Sequence, residues 1–140
     1  MAIKNYPAFL EPNGNGGFGV FFPDFPGCVS AGDSLDQALA MAAEALALHI
    51  EGMQEDGETI PDPGSFDHLP AWVAEMEDLD RCIRAVVPCD LEPEQVRVNV
   101  SFERGFLDRL DRAAQAAHMT RSGFLVEAAR QAMRRVKVAP

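Results

Sequence analysis

Arg97, Asn99 and Ser101 recur at every second position. Their side chains carry the donors and acceptors that read base edges in a DNA major groove: arginine suits guanine, asparagine suits adenine, and serine is adaptable. Val96, Val98, Val100 and Phe102 stand between and beside them. Such alternation is the period-two signal of a half-buried strand, apolar on one face and polar on the other. A second polar set, Thr120, Arg121 and Ser122, stands where a helix should begin. The free N–H groups of a helix start suit an anion such as a backbone phosphate.

The other reactive side chains do not assemble into a catalytic set. Asp and Glu are abundant, 22 in all. Metal-dependent phosphodiester cleavage needs several carboxylates converging on two cations, and only Asp24, set among prolines at a strand end, is placed for that. No Ser/His/Asp set and no Cys/His metal spacing is present. Cys28, Cys82 and Cys89 are odd in number and unpaired in spacing, as expected of reduced thiols in a cytosolic protein. The run from Asn13 to Gly17 lacks the lysine and the helix start of a phosphate loop. The sequence therefore reads as a binding protein and not an enzyme, with no metal and no cofactor.

Charge is informative once the chain is divided. Residues 1–94 hold 18 acidic and 3 basic side chains, net −15, and residues 95–140 hold 4 acidic and 9 basic, net +5. A basic back can meet phosphate, and an acidic front suits a basic partner. At 47% hydrophobic residues the chain can build a core, and no run approaches the ~18 apolar residues of a membrane span. The first six residues lack the apolar centre of a signal peptide, so the expected location is cytoplasmic.

The positioning elements follow from pattern and punctuation. Lys4 to Leu10 reads as a strand, Glu11 to Gly17 as a turn, and Phe18 to Phe22 as a second strand. Pro23 to Cys28 reads as a stiff connection and Cys28 to Ala31 as a short third strand. Ser34 to about Asp56 is the clearest helix. Ser34 with Gln37 fits a capping box, and Gly57 is placed to stop it. Leu35, Ala38, Leu39, Ala42, Leu46, Ile50 and Met53 trace its apolar stripe, with His49 a structural residue at the edge. Ile60 to Ser65 is a rigid exit. In Phe66 to Arg81, Trp72, Val73 and Met76 suit a short helix with Glu75, Glu77 and Asp78 outward. Cys82 to Cys89 is a further strand, and Asp90 to Gln95 reads as a linker.

The back reads as one strand and two helices. Phe106, Leu107, Leu110, Ala113, Ala114 and Ala117 share a face of the first helix, which His118 and Met119 close. Thr120 caps the second, whose stripe is Phe124, Leu125, Ala128, Ala129 and Ala132. Gly123 is costly there by roughly 1 kcal/mol relative to alanine. Arg130, Arg134, Arg135 and Lys137 form a solvated basic tail. A lone strand leaves its backbone groups unpaired, and about 40 residues are too few for a sufficient core. A second copy repairs both faults by pairing the two strands antiparallel.

Two resemblances follow from these residues. Residues 96–136, with strand alternation, helix spacing and the Met119-Thr120-Arg121-Ser122 turn, resemble the ribbon-helix-helix DNA-binding family of Arc and MetJ. That resemblance implies base reading by Arg97, Asn99 and Ser101, and phosphate contacts at Thr120, Arg121 and Ser122. In the front, Phe22-Pro23-Asp24-Phe25-Pro26-Gly27-Cys28, Gly32-Asp33-Ser34-Leu35-Asp36-Gln37-Ala38 and Glu55-Asp56-Gly57-Glu58-Thr59-Ile60-Pro61-Asp62-Pro63 resemble the HicB antitoxins. This likeness implies a front domain of partial RNase-H-like or double-stranded-RNA-binding-like fold. It also implies a small basic HicA-like toxin that cleaves mRNA as partner.

The expectation is therefore an α+β protein in three parts. Residues 1–90 form an acidic toxin-binding β-β-β-α-β domain, 91–95 a linker, and 96–140 a ribbon-helix-helix domain. It dimerises through an intermolecular ribbon, with a tetramer possible, and represses its own operator DNA. Asp24, Asp33, Asp36 and Glu44 are the acids expected to face the toxin. The alternative is a free-standing regulator whose front senses a small molecule. No membrane partner is expected.

Overall fold

Alternation along the first strand sends its side chains into two different layers. In the computed structural model, which describes residues 1–136, β1 (Ile3–Pro12) places Tyr6, Ala8 and Leu10 in one apolar cluster and Phe9 in another. Lys137, part of the expected basic tail, lies outside the described residues. The chain divides into two compact units, Met1–Gln95 and Val96–Pro140.

The first unit is built on a four-stranded antiparallel sheet. Its strands are β1, β2 (Phe18–Phe22), β3 (Phe25–Gly32) and β4 (Ile83–Asp90), in the spatial order β3-β2-β1-β4. Phe9 lies opposite Phe21, Val20 opposite Ser30 and Tyr6 opposite Val87. The third strand begins three residues earlier than the expected Cys28, because Phe22 already pairs with Phe25. Only Pro23 and Asp24 make the turn, with a register shift at Phe21/Phe22 and Gly27 at a φ of 89° absorbing the irregularity.

The helix α1 (Leu35–Glu55) covers one face of the sheet. Ser34 accepts the Gln37 amide hydrogen, whereas the Gln37 side chain reaches back to the N–H of Asp33, one residue beyond the expected partner. At the other end Gly57, with a φ of 72°, donates to Gln54 and Glu58 donates to Met53, which closes the helix. Ala38, Ala42, Leu46 and Ile50 are fully buried against Tyr6, Phe22, Phe25 and Val87. Burying Leu46 or Ile50 contributes about 1.5–3 kcal/mol each. Leu35, expected in the stripe, is exposed, because its turn of helix lies beyond the end of that buried row.

The opposite face is covered by the stretch between α1 and β4. It contains the single turn α2 (Ala71–Ala74) and a 3₁₀ turn, Leu79–Arg81. Val73 is buried on Phe9 and Phe21, flanked by Phe66, Leu69, Met76 and Leu79. The Phe9 and Phe21 rings stack at 5.3 Å, and Arg84 lies over Phe9 and Phe66 at 5.8 and 5.5 Å. Lys4 pairs with Asp62, the Tyr6 hydroxyl donates to the Pro61 carbonyl at 2.8 Å, and Gly64 N–H donates to Asp24 at 2.9 Å. These contacts tie the proline-rich exit to the sheet.

The second unit holds α3 (Arg104–Ala116) and α4 (Arg121–Arg135). Of the helix faces read from the sequence, only Leu110 and Ala114 are buried, and no residue of α4 is. Ala113, Ala117, Ala128, Ala129 and Ala132 are exposed in the single chain.

Candidate nucleic-acid and partner interfaces

Residues 96–102 form no strand in the single chain, because a ladder requires a second strand. Among the described residues, none of these seven shares a backbone–backbone hydrogen bond. Val96, Val98 and Val100 are 73%, 74% and 67% exposed, so the expected apolar face is uncovered. Arg97, Asn99 and Ser101 are exposed as well. Phe102 stacks on Phe106 at 5.6 Å, and both line an apolar cleft of about 440 Å³ with Leu110, Phe124, Leu125 and Ala128.

The turn between the helices is closely specified. Met119 N–H donates to Ala114 and His118 N–H to Gln115, with His118 at a left-handed φ of 56°. Thr120 caps α4 by accepting the Gly123 amide hydrogen at 3.0 Å. A Cβ on Gly123 would stand 3.1 Å from the Thr120 hydroxyl oxygen, so a larger residue would press on this cap. Ser122 is exposed at the helix start. The Arg121 side chain has a partner of its own. Its guanidinium forks onto Asp111 through two bonds of 2.8 Å, which lowers the Asp111 carboxyl below its usual range. Charge pattern alone did not disclose this pair, ten residues apart.

The acids singled out in the front do not converge. Asp24 sits in the β2–β3 turn, on a groove of about 510 Å³ that also involves Phe25, Leu48, His49, Gly52, Met53, Asp56 and Glu58. Asp33 and Asp36 flank the start of α1, the opposite end of a 21-residue helix, roughly 30 Å away. Asp36 in the first turn complements the helix dipole, and Glu44 is half-buried in mid-helix. Among the described residues, no three His, Cys, Asp or Glu side chains are grouped to hold a metal ion. Cys28 is buried, which pushes its thiol up to about 11. No helix of the described residues is long and apolar enough to cross a membrane.

A family described as the HicB_like antitoxin of bacterial toxin-antitoxin systems matches residues 6–129. The chain belongs to the HicB-like antitoxins. It is 35% identical over 129 residues to a protein of Haemophilus phage HP1 named as an uncharacterized 14.9 kDa protein in the rep-hol intergenic region, covering 89% of this chain and 93% of that one. It is 48% identical over 64 residues to Antitoxin HicB 1 of Photorhabdus laumondii, covering 44% of this chain and 41% of the relative. The chain thus spans less than half the length of that second relative.

The HicB-like fold extends to solved structures. The antitoxin HicB of Burkholderia pseudomallei aligns over 96% of this chain and 99% of its own, with a TM-score of 0.54 and 29% identity. Antitoxin HicB3 aligns over 91% and 96%, with a TM-score of 0.50 and 29% identity. The resemblance read from the three front motifs therefore holds across nearly the whole chain. Membership in this family does not favour the alternative of a small-molecule sensor. Sequence reasoning missed Asp56, Glu58 and Gly52 as neighbours of Asp24. The available signal was a glycine inside a strong helix with no basic residue in its last turn.

Proposed function

We propose that this HicB-like chain neutralises a small basic HicA-like mRNA-cleaving toxin and represses its own operon. The front unit binds the toxin, and its net charge of −15 over residues 1–94 favours fast association with a basic protein. The mechanism is steric and electrostatic, with no chemical step at this chain.

The repressor half rests on one observation: the uncovered valine face of residues 96–102. Two copies paired antiparallel there form a ribbon, cover the valines and the adjoining apolar cleft, and complete a core that one copy lacks. The ribbon then displays Arg97, Asn99 and Ser101 twice on its polar face, a shape that fits the major groove. Thr120, Arg121 and Ser122 at the start of α4 approach phosphates from each side, Arg121 and Ser122 through their backbone N–H groups. The resulting dimer, or a tetramer of two such dimers, binds a two-fold symmetric site.

The test has two arms. Co-expression with a HicA-like toxin, sought in the adjacent reading frame, should yield a stable complex and restore growth against that toxin. Light scattering of the purified chain should give a dimer or tetramer, and Val98→Glu should give a monomer that keeps the toxin and loses the DNA. A monomeric parent that binds operator DNA would overturn the ribbon, and unrelieved toxicity would overturn the antitoxin role.

A further inference from the structure

The groove at the end of α1 combines carboxylates with a partly apolar wall. Leu48 and Met53 supply its apolar surface, and His49 meets the ring of the buried Phe25 edge-on at 5.7 Å. Asp24, Asp56 and Glu58 supply carboxylates, of which Asp24 also accepts the Gly64 N–H. Among the described residues, no lysine or arginine forms an ion pair with any of the three. The groove also lies at the negative end of the helix dipole, where a cation is favoured and an anion is not. The last turn of α1 nevertheless carries no basic side chain.

Gly52 is the independent observation. It lies inside α1, where glycine costs roughly 1 kcal/mol relative to alanine. An added Cβ would meet no protein atom within 4 Å, so packing does not require a glycine here. Its φ is not in the left-handed region either. What Gly52 does is line the groove without filling it.

We infer that this groove receives one lysine or arginine side chain projecting from the basic toxin, its stem on Leu48 and Met53 and its charged head near Asp24, Asp56 and Glu58. The inference rests on the toxin-binding reading above and adds where contact is made. Long cationic side chains combine an apolar stem with a charged tip, the same division that this groove presents. A carboxylate-lined groove with an apolar floor holds such a side chain better than it holds a free small cation, for which the described residues offer no three-ligand group.

The test uses the full chain and the HicA-like toxin that it neutralises, inactivated at its own active site, with affinity read by calorimetry. Gly52→Leu fills the groove and favours the helix, so it should fold. The pair Asp56→Asn with Glu58→Gln removes two charges without changing shape. Each should weaken binding by about tenfold or more. The pair Glu75→Gln with Glu77→Gln removes the same charge beyond α2 and should change binding by less than about threefold. Thermal midpoints and circular dichroism confirm that each variant is folded. Groove variants that bind as tightly as the parent overturn the groove and leave toxin binding standing. Equal losses in both double variants also overturn it, since bulk charge then explains the effect. A parent that does not bind the toxin overturns both.

Discussion

Arg121 and Asp111 face each other across the α3–α4 turn with both guanidinium–carboxylate bonds at 2.8 Å. The fork joins the start of α4 to a residue in the second half of α3. It gives the Arg121 side chain a partner within the chain, whereas the phosphate contact read from the sequence belongs to the backbone N–H groups at the helix start.

That pairing has a pH signature. Hydrogen bonding to Arg121 lowers the folded-state carboxyl of Asp111. A depressed acid contributes stability that is fully present above the unfolded value, ~3.9, and is lost as pH falls through the lowered folded value. The thermal midpoint of the parent should therefore fall more steeply below pH 4 than that of Asp111→Asn. Parallel curves would show that the fork is not formed in solution. Arg121→Ala should lower the midpoint at neutral pH in the absence of DNA, a loss that a pure phosphate contact would not cause.

The base-reading proposal is checked by discrimination and not by affinity alone. Arg97→Ala and Asn99→Ala should each weaken operator binding by about 1–3 kcal/mol while changing non-specific binding little. Gel shifts on operator and scrambled duplexes at two salt concentrations separate these terms. Equal weakening on both duplexes would mean that the two side chains touch only the backbone. Affinity for the toxin should be unchanged in both variants.

His118 occupies a left-handed conformation at a helix end, where glycine is the usual residue. The conformation costs a non-glycine residue about 1–2 kcal/mol, and glycine returns part of that through the entropy of the unfolded chain. His118→Gly should stabilise the C-terminal unit by about 0.5–1 kcal/mol in urea unfolding. A loss of stability would place a specific contact on the imidazole.

Two glycines of the sheet make opposite predictions. A Cβ on Gly32 would lie 2.3 Å from the Ala38 nitrogen, so backbone must move to admit it. Gly32→Ala should cost about 1–3 kcal/mol or more through overpacking. A Cβ on Gly19 meets nothing within 4 Å, so Gly19→Ala should be near neutral in the same unfolding experiment.

Periodicity and punctuation made most of the first unit legible. Alternation marked β1 and β2, the Ser34 and Gly57 signals bounded α1, and three motifs disclosed the family. These are local properties, set by which backbone conformations a few neighbouring residues tolerate. The Pro23–Asp24 turn was harder to read, because a bulge and a left-handed glycine let a strand resume sooner than the prolines suggested. The Phe9–Phe21–Val73 layer was equally hidden, since it joins residues more than fifty positions apart. Only folding put Asp24 on one groove with Asp56 and Glu58, and only folding set Asp111 against Arg121. Sequence pattern reports which face a residue prefers. It does not report which distant charge will stand opposite, because that depends on how the elements pack.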